Sequence, residues 1–202
     1  MEYLSVDGLE PDWHIWEMFQ TNEASSALSR DATDGVQPIQ MEINDPADID
    51  SVFDGAIVYA KGSRMLVMVR SLLGDEALRK GLKYYFDHHK FGNATGDDLW
   101  DALSTATDLN IGEIMHSWLK QPGYPVVSAF VDKDGHLKLT QKQFFIGEGE
   151  DKGRLWQIPL NANFDAPKIM SEKEIDLGNY KVLREEAGHP LRLNVGNNSH
   201  FI

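Results

Sequence analysis

The sequence contains no cysteine. That excludes disulfides, thiolate zinc sites, Fe–S clusters and a cysteine nucleophile, and it suits a reducing cytoplasm. Basic side chains are scarce, with 19 Lys and Arg against 32 Asp and Glu and a formal net charge of −13 with His neutral. Neutralising phosphates takes clustered Lys and Arg, so this balance argues against a general nucleic-acid or anionic-membrane binder. No apolar run approaches the ~20 residues that span a bilayer, and the N-terminus lacks the basic and apolar regions of a signal peptide. Internal repeats and low-complexity segments are missing too. What remains is ordinary globular material: 42% hydrophobic and 10% aromatic residues in a chain of 202. A chain of that length buries roughly 70% of its unfolded surface, enough for one sizeable core or two small ones. The expectation is a soluble, acidic, cytoplasmic protein.

The apolar spacing divides the chain in two. Up to residue 123 the period is helical. It predicts a helix over 12–28 carrying Trp13, Trp16 and Phe19, with Pro11 where a first turn tolerates it. A loop comes next over 33–46, marked by Gly35, Pro38 and Pro46. Met65, Met68, Val69, Leu72 and Leu73 then recur at i, i+3, i+4, i+7 and i+8, one buried helix face. Gly74 breaks it, and Leu78, Leu82, Tyr85 and Phe86 set the next stripe. Thr95 with Asp98 reads as a capping box for the helix of Leu99, Trp100 and Leu103. Ile111, Ile114, Met115, Trp118 and Leu119 form the last stripe before Pro122-Gly123. From residue 124 the period becomes strand-like. Val126, Val127, Ala129, Phe130 and Val131 lead to Asp134-Gly135, a hairpin signal, and Leu137 and Leu139 alternate on the return. Further strands are predicted at 155–160, 168–175 and 191–195. The expected fold class is α+β, with a helical domain over 1–123 and a small antiparallel β-sandwich over 124–202. Met1-Glu2-Tyr3-Leu4 starts inside a helical pattern and Phe201-Ile202 ends on apolar residues, which fits either fraying natural termini or, the favoured expectation, a segment of a larger protein.

Motifs that carry chemistry are few. There is no HExxH, GxSxG, GxxxxGK[ST] or GxGxxG. His88 and His89 are adjacent, so on a helix they point about 100° apart and do not share a metal. Glu113 and His116 have the ExxH spacing of di-iron bundles, which need a second copy and two further Glu. His14, His136, His189 and His200 are scattered and read as structural. The Trp and Met stripes read as packing.

One stretch says more. Phe53-Asp54-Gly55-Ala56-Ile57-Val58-Tyr59-Ala60-Lys61-Gly62-Ser63 resembles the F-D-x-I-x-Y-x-K-G-A segment of the M1 family of zinc-dependent aminopeptidases, the aminopeptidase N family, in the form found in lactic acid bacteria. Glu2-Tyr3, Asp7, Pro11 and Trp13 are similar to the residues just after that family's N-E-G-F-A segment. Tyr84–Phe86, Gly92–Thr95, Asp98–Trp100, Met115, Trp118 and Gln121–Pro125 continue the similarity in the same order. Leu193-Asn194-Val195 resembles a strand of the family's next domain, a sandwich. Gln37-Pro38 departs from the His-Pro common in relatives.

The resemblance implies a four-domain parent, of which this chain holds the back half of a thermolysin-like catalytic domain and the sandwich. The implied reaction is removal of the N-terminal residue of a peptide, with a zinc ion activating water and the HExxH Glu as base. Those zinc-binding parts have no counterpart in this sequence, so no metal is expected in the chain alone, and no activity. Tyr59 matches the family's catalytic tyrosine, whose phenol donates a hydrogen bond to the oxyanion of the tetrahedral intermediate. Glu2, two helical turns beyond the position of the family's ligand Glu, is a candidate to orient a zinc-bound His. Lys61 and Gly62 are assigned packing roles. Expected partners are the remaining domains of the parent and its peptide substrate, with neither nucleic acid nor membrane. Half a domain without its complement should expose apolar surface and be marginally stable or oligomeric. The rival expectation is a peptide-binding or scaffolding module without catalysis.

Overall fold

A computed structural model describes residues 2–202. Met1, where the first helical pattern opens, lies outside them. Helix α1 spans Glu2–Leu9, and Pro11–Trp13 forms a 3-10 turn with the proline in its first position. His14 then adopts a left-handed conformation (φ 49°), so the helix predicted from residue 12 begins only at Ile15. Helix α2 (Ile15–Phe19) runs through a π-helical turn, Gln20–Ala24, directly into α3 (Ser25–Asp31). Trp13 is left exposed on the 3-10 turn. Tyr3, Trp16 and Phe19 instead form an aromatic cluster, with Tyr3 5.9 Å from Trp16 and 5.1 Å from Phe19.

After the predicted loop, 3-10 turns at Pro46–Asp48 and Asp50–Val52 lead to a second π-helical turn, Ala56–Lys61, continuous with α4 (Gly62–Leu73). Met65, Met68 and Val69 are the buried face, as their spacing requires. Gly74 ends the helix at φ +77°, and α5 (Asp75–His89), α6 (Gly96–Ser104) and α7 (Ile111–Leu119) come after it. Helices α5 and α6 touch at Gly81, where a Cβ would sit 2.9 Å from the Leu103 Cα. The capping box forms: the Thr95 hydroxyl accepts from the Asp98 N–H, and the Asp98 carboxylate accepts from the Thr95 N–H at 2.7 Å. Thr95→Ala should therefore cost about 1 kcal/mol, read as a melting temperature lower by roughly 2–4 °C.

The second part of the chain holds two antiparallel sheets. Strands β1 (Pro125–Val131) and β2 (His136–Gln143) form the hairpin around Asp134-Gly135, with Gly135 at φ +82°. Strands β3 (Ile158–Pro159) and β4 (Ile169–Met170) pair with each other, and β5 (Glu174–Asn179) joins the first sheet on the far side of β2. Leu137, Leu139, Gln141 and Gln143 alternate inward along β2. The side chain of buried Gln141 stands in for a neighbouring strand, accepting from the Trp156 N–H at 2.9 Å and donating to the Trp156 carbonyl at 3.0 Å.

The α+β expectation holds, and the second part of the chain differs from it in detail: the strand expected over 168–175 is split between β4 and β5. Residues 191–195 are not a strand, because the chain turns through Asn194 (φ 51°) and Gly196 (φ 83°). Instead α8 (Tyr180–Ala187) forms, its first N–H groups capped by the Asn179 side chain and its end closed by left-handed Gly188. One hydrophobic core runs through both parts, from Met65 and Met68 through Trp118 to Leu139, Trp156 and Met170. At the chain's last residue, the Ile202 carbonyl accepts from the Val127 N–H at 2.7 Å, along the edge of β1. No helix among the described residues is long and apolar enough to cross a membrane.

Candidate functional site

Tyr59 sits on the π-helical turn Ala56–Lys61 with its side chain outward, 64% exposed. Its ring meets Phe53 edge-on, 5.6 Å between centroids. The turn is fastened at its start by Asp54. That carboxylate accepts from the Ala56 N–H at 3.0 Å and from the Arg30 guanidinium, while the Asp54 carbonyl accepts from the N–H groups of Ile57 and Val58. The hydrogen bond from Arg30 holds the Asp54 carboxyl below the usual carboxylate range. Gln37, the departure from the family pattern, donates to the Val52 carbonyl just upstream.

The inner end of the turn is fastened by charge. Lys61 and Asp31 are both 0% exposed and meet at 2.8 Å. Asp31 also accepts from the Gly123 N–H at 2.9 Å, and Lys61 donates to the Gly123 carbonyl at 3.1 Å, so the pair grips both faces of one residue. Gly123 stands at φ +85°, and a Cβ there would meet the Gln143 side chain at 2.3 Å. The His200 Nε2 faces Asp31 at 3.3 Å. One turn onward, buried Arg64 donates to the carbonyls of Asn197 and Ser199 and to the Gln20 side chain. Lys61, assigned to packing from sequence, thus packs as a charge in a network. Asp31, Arg64, Gly123 and His200 carried no such signal.

Burial pushes the Asp31 carboxyl up, but Lys61 and His200 outweigh it and the net shift is downward. Burial likewise pushes the Lys61 ammonium down, with Asp31 pulling it back. Burial takes His200 down to about 4, against the pull of Asp31. Its geometry agrees: Nδ1 has no partner among the described residues, so a second ring N–H would be buried without an acceptor. Tyr124, 5.1 Å away, is pushed up to about 12 by burial and by Asp31. The stability consequence has a definite sign. Between pH 6.5 and about 4 the unfolded chain takes a proton on His200 that the folded chain refuses, so stability falls as pH falls through that window. The full depression corresponds to about 3 kcal/mol. Urea unfolding across pH 7 to 4 should show this loss, and His200→Gln should flatten it.

The other sequence candidates lie apart from this turn. Glu2 is exposed at the start of α1, beside Tyr3, which donates to Glu23 at 3.2 Å. His116 pairs with Asp97 at 2.8 Å rather than with Glu113. His88 stacks on Tyr84 with centroids 3.8 Å apart. His136 pairs with Asp176 at 2.9 Å. Among the described residues no three His, Asp or Glu side chains converge as a metal site would require.

The sequence of this chain matches one known family. The Peptidase family M1 domain matches residues 1–118. Aminopeptidase N of Lactobacillus helveticus is 94% identical over 202 residues, covering 100% of this chain and 24% of that protein. Aminopeptidase N of Lactobacillus delbrueckii subsp. lactis is 82% identical with the same coverage. Aminopeptidase M1 of Arabidopsis thaliana is 40% identical over 160 residues, covering 79% of this chain and 18% of that protein. The chain belongs to peptidase family M1, and it spans about a quarter of the length of these bacterial relatives.

Proposed function

We propose that this chain is the part of a cytoplasmic zinc-dependent aminopeptidase that presents a transition-state hydrogen-bond donor. The donor is the Tyr59 phenol, and the bond goes to the oxyanion formed when water adds to the first peptide carbonyl of the substrate. The observation that carries the reading is the contrast within one turn: Tyr59 faces out while Lys61, two residues on, is fully buried in an ion pair. Fastening both ends of the turn fixes the backbone position from which the exposed hydroxyl is presented, and positioning is what such a donor needs. The family membership and the aminopeptidase relatives support the same reading.

Zinc does not fit the residues present, because no three ligating side chains converge among the described residues. Its ligands would come from sequence beyond these 202 residues, and the chain by itself is expected to be inactive. Glu2, on α1, is proposed to orient a histidine of that metal site by accepting its ring N–H. Residues 1–123 would be the helical half of the catalytic domain and 124–202 a bracing β-sandwich domain. Their partners would be the rest of the polypeptide and the peptide substrate.

The test is to exchange these 202 residues into Lactobacillus helveticus aminopeptidase N, where 94% identity makes the exchange mild. The chimera should hydrolyse aminoacyl anilides, and the isolated chain should not. Turnover by the isolated chain would overturn the proposal. A folded chimera without turnover would favour a non-catalytic binding module.

A further inference from the structure

The charges behind Tyr59 take no part in the proposed chemistry, yet three separate segments converge on them. Burying an ion pair is costly, and two well-packed apolar side chains would often serve stability as well or better. The pair's location suggests what else it does. Lys61 closes the π-helical turn Ala56–Lys61 that carries Tyr59, and such turns recur at functional sites because they re-aim side chains. Lys61 is anchored to Asp31 of α3 at 2.8 Å and to the Gly123 carbonyl at 3.1 Å. Gly123 lies two residues before β1, and His200, from the end of the β part, faces the same Asp31 oxygen that Lys61 holds. Arg64 repeats the connection one turn later, to Asn197 and Ser199.

We infer that Lys61 and Asp31 are positioning residues for Tyr59: their buried pair pins the inner side of the turn whose outer side presents the phenol, and through Gly123 and His200 it ties that phenol to the seating of the β part. This rests on the proposed role of Tyr59 and goes beyond it. Gly123 stands at φ +85°, a backbone conformation in which any other residue would be strained, so this connection depends on glycine. Loss of the pin would let the turn relax toward an ordinary α-helical register and swing the phenol away from its target. A misplacement of about 1 Å is enough to cost on the order of 100-fold in rate.

The test uses the chimeric aminopeptidase N with four segments: unchanged, Lys61→Met, Tyr59→Phe, and both substitutions. Lys61→Met should lower kcat by about 10- to 100-fold, with KM changed less than about twofold. Combined with Tyr59→Phe it should lower kcat no further, because Lys61 acts only through Tyr59. Equal losses in both backgrounds, or no loss from Lys61→Met, would overturn the inference while leaving the Tyr59 reading intact. Full turnover by Tyr59→Phe would overturn that reading and this one with it. If Lys61→Met does not fold, Asp31→Asn/Lys61→Met removes the charges together and keeps an acceptor for the Gly123 N–H. The same outcomes then decide, with the melting temperature followed in parallel.

Discussion

Tyr59→Phe in the chimeric enzyme should lower kcat by about 10²- to 10³-fold, the usual effect of removing one oxyanion donor. KM should change little, because the hydrogen bond forms to an oxygen that carries full charge only as the tetrahedral intermediate develops. Folding should be unaffected. The Tyr59 side chain is 64% exposed, and its ring contact is the edge-on one with Phe53, which phenylalanine keeps. Steady-state kinetics on an aminoacyl anilide, set beside thermal unfolding, separates these effects. A large fall in kcat with an unchanged melting temperature is expected. A parallel fall in both would make Tyr59 a packing residue.

The largest effect on stability is expected one step inward. Lys61→Met leaves the Asp31 carboxylate buried with its cation gone, which should cost about 3–5 kcal/mol. Asp31 keeps the Gly123 N–H and His200, but neither is a full positive charge. In urea the midpoint should fall with the slope unchanged, since the surface exposed on unfolding is the same. Asp31→Asn/Lys61→Met should recover most of the loss, because no lone charge is then buried. If the single and double substitutions cost the same, the pair is not coupled and the network is no more than adjacent packing.

How much of this was legible in sequence depends on the range over which each feature is set. The buried face of α4 and the capping box at Thr95 are local, fixed by apolar spacing and by one hydroxyl with one carboxylate, and both were readable. The hairpin at Asp134-Gly135 was readable for the same reason. Helix α8 was not, because it is highly charged and buries only Leu183, which gives the apolar period little to show. Residues 191–195 have strand-like alternation, but Asn194 adopts a left-handed conformation that no apolar pattern announces. The two π-helical turns escape notice because one extra residue in a hydrogen-bonded turn hardly alters apolar spacing.

The candidate site divides along the same line. Tyr59 was found through its motif, whereas the network beneath it joins residues as much as 169 positions apart. A buried lysine implies a carboxylate partner, but the sequence offers 32 carboxylates and no rule for choosing among them. His200 read as structural and lies fully buried against Asp31, but its lowered proton affinity comes from burial, which the fold alone determines.

The most direct test of the central claim is the exchange of the whole segment into Lactobacillus helveticus aminopeptidase N, assayed with and without Tyr59→Phe. The unchanged segment should support turnover, and the Tyr59→Phe segment, folded equally well and binding zinc equally, should lose about 10²-fold or more. Equal turnover by the two chimeras would contradict the claim.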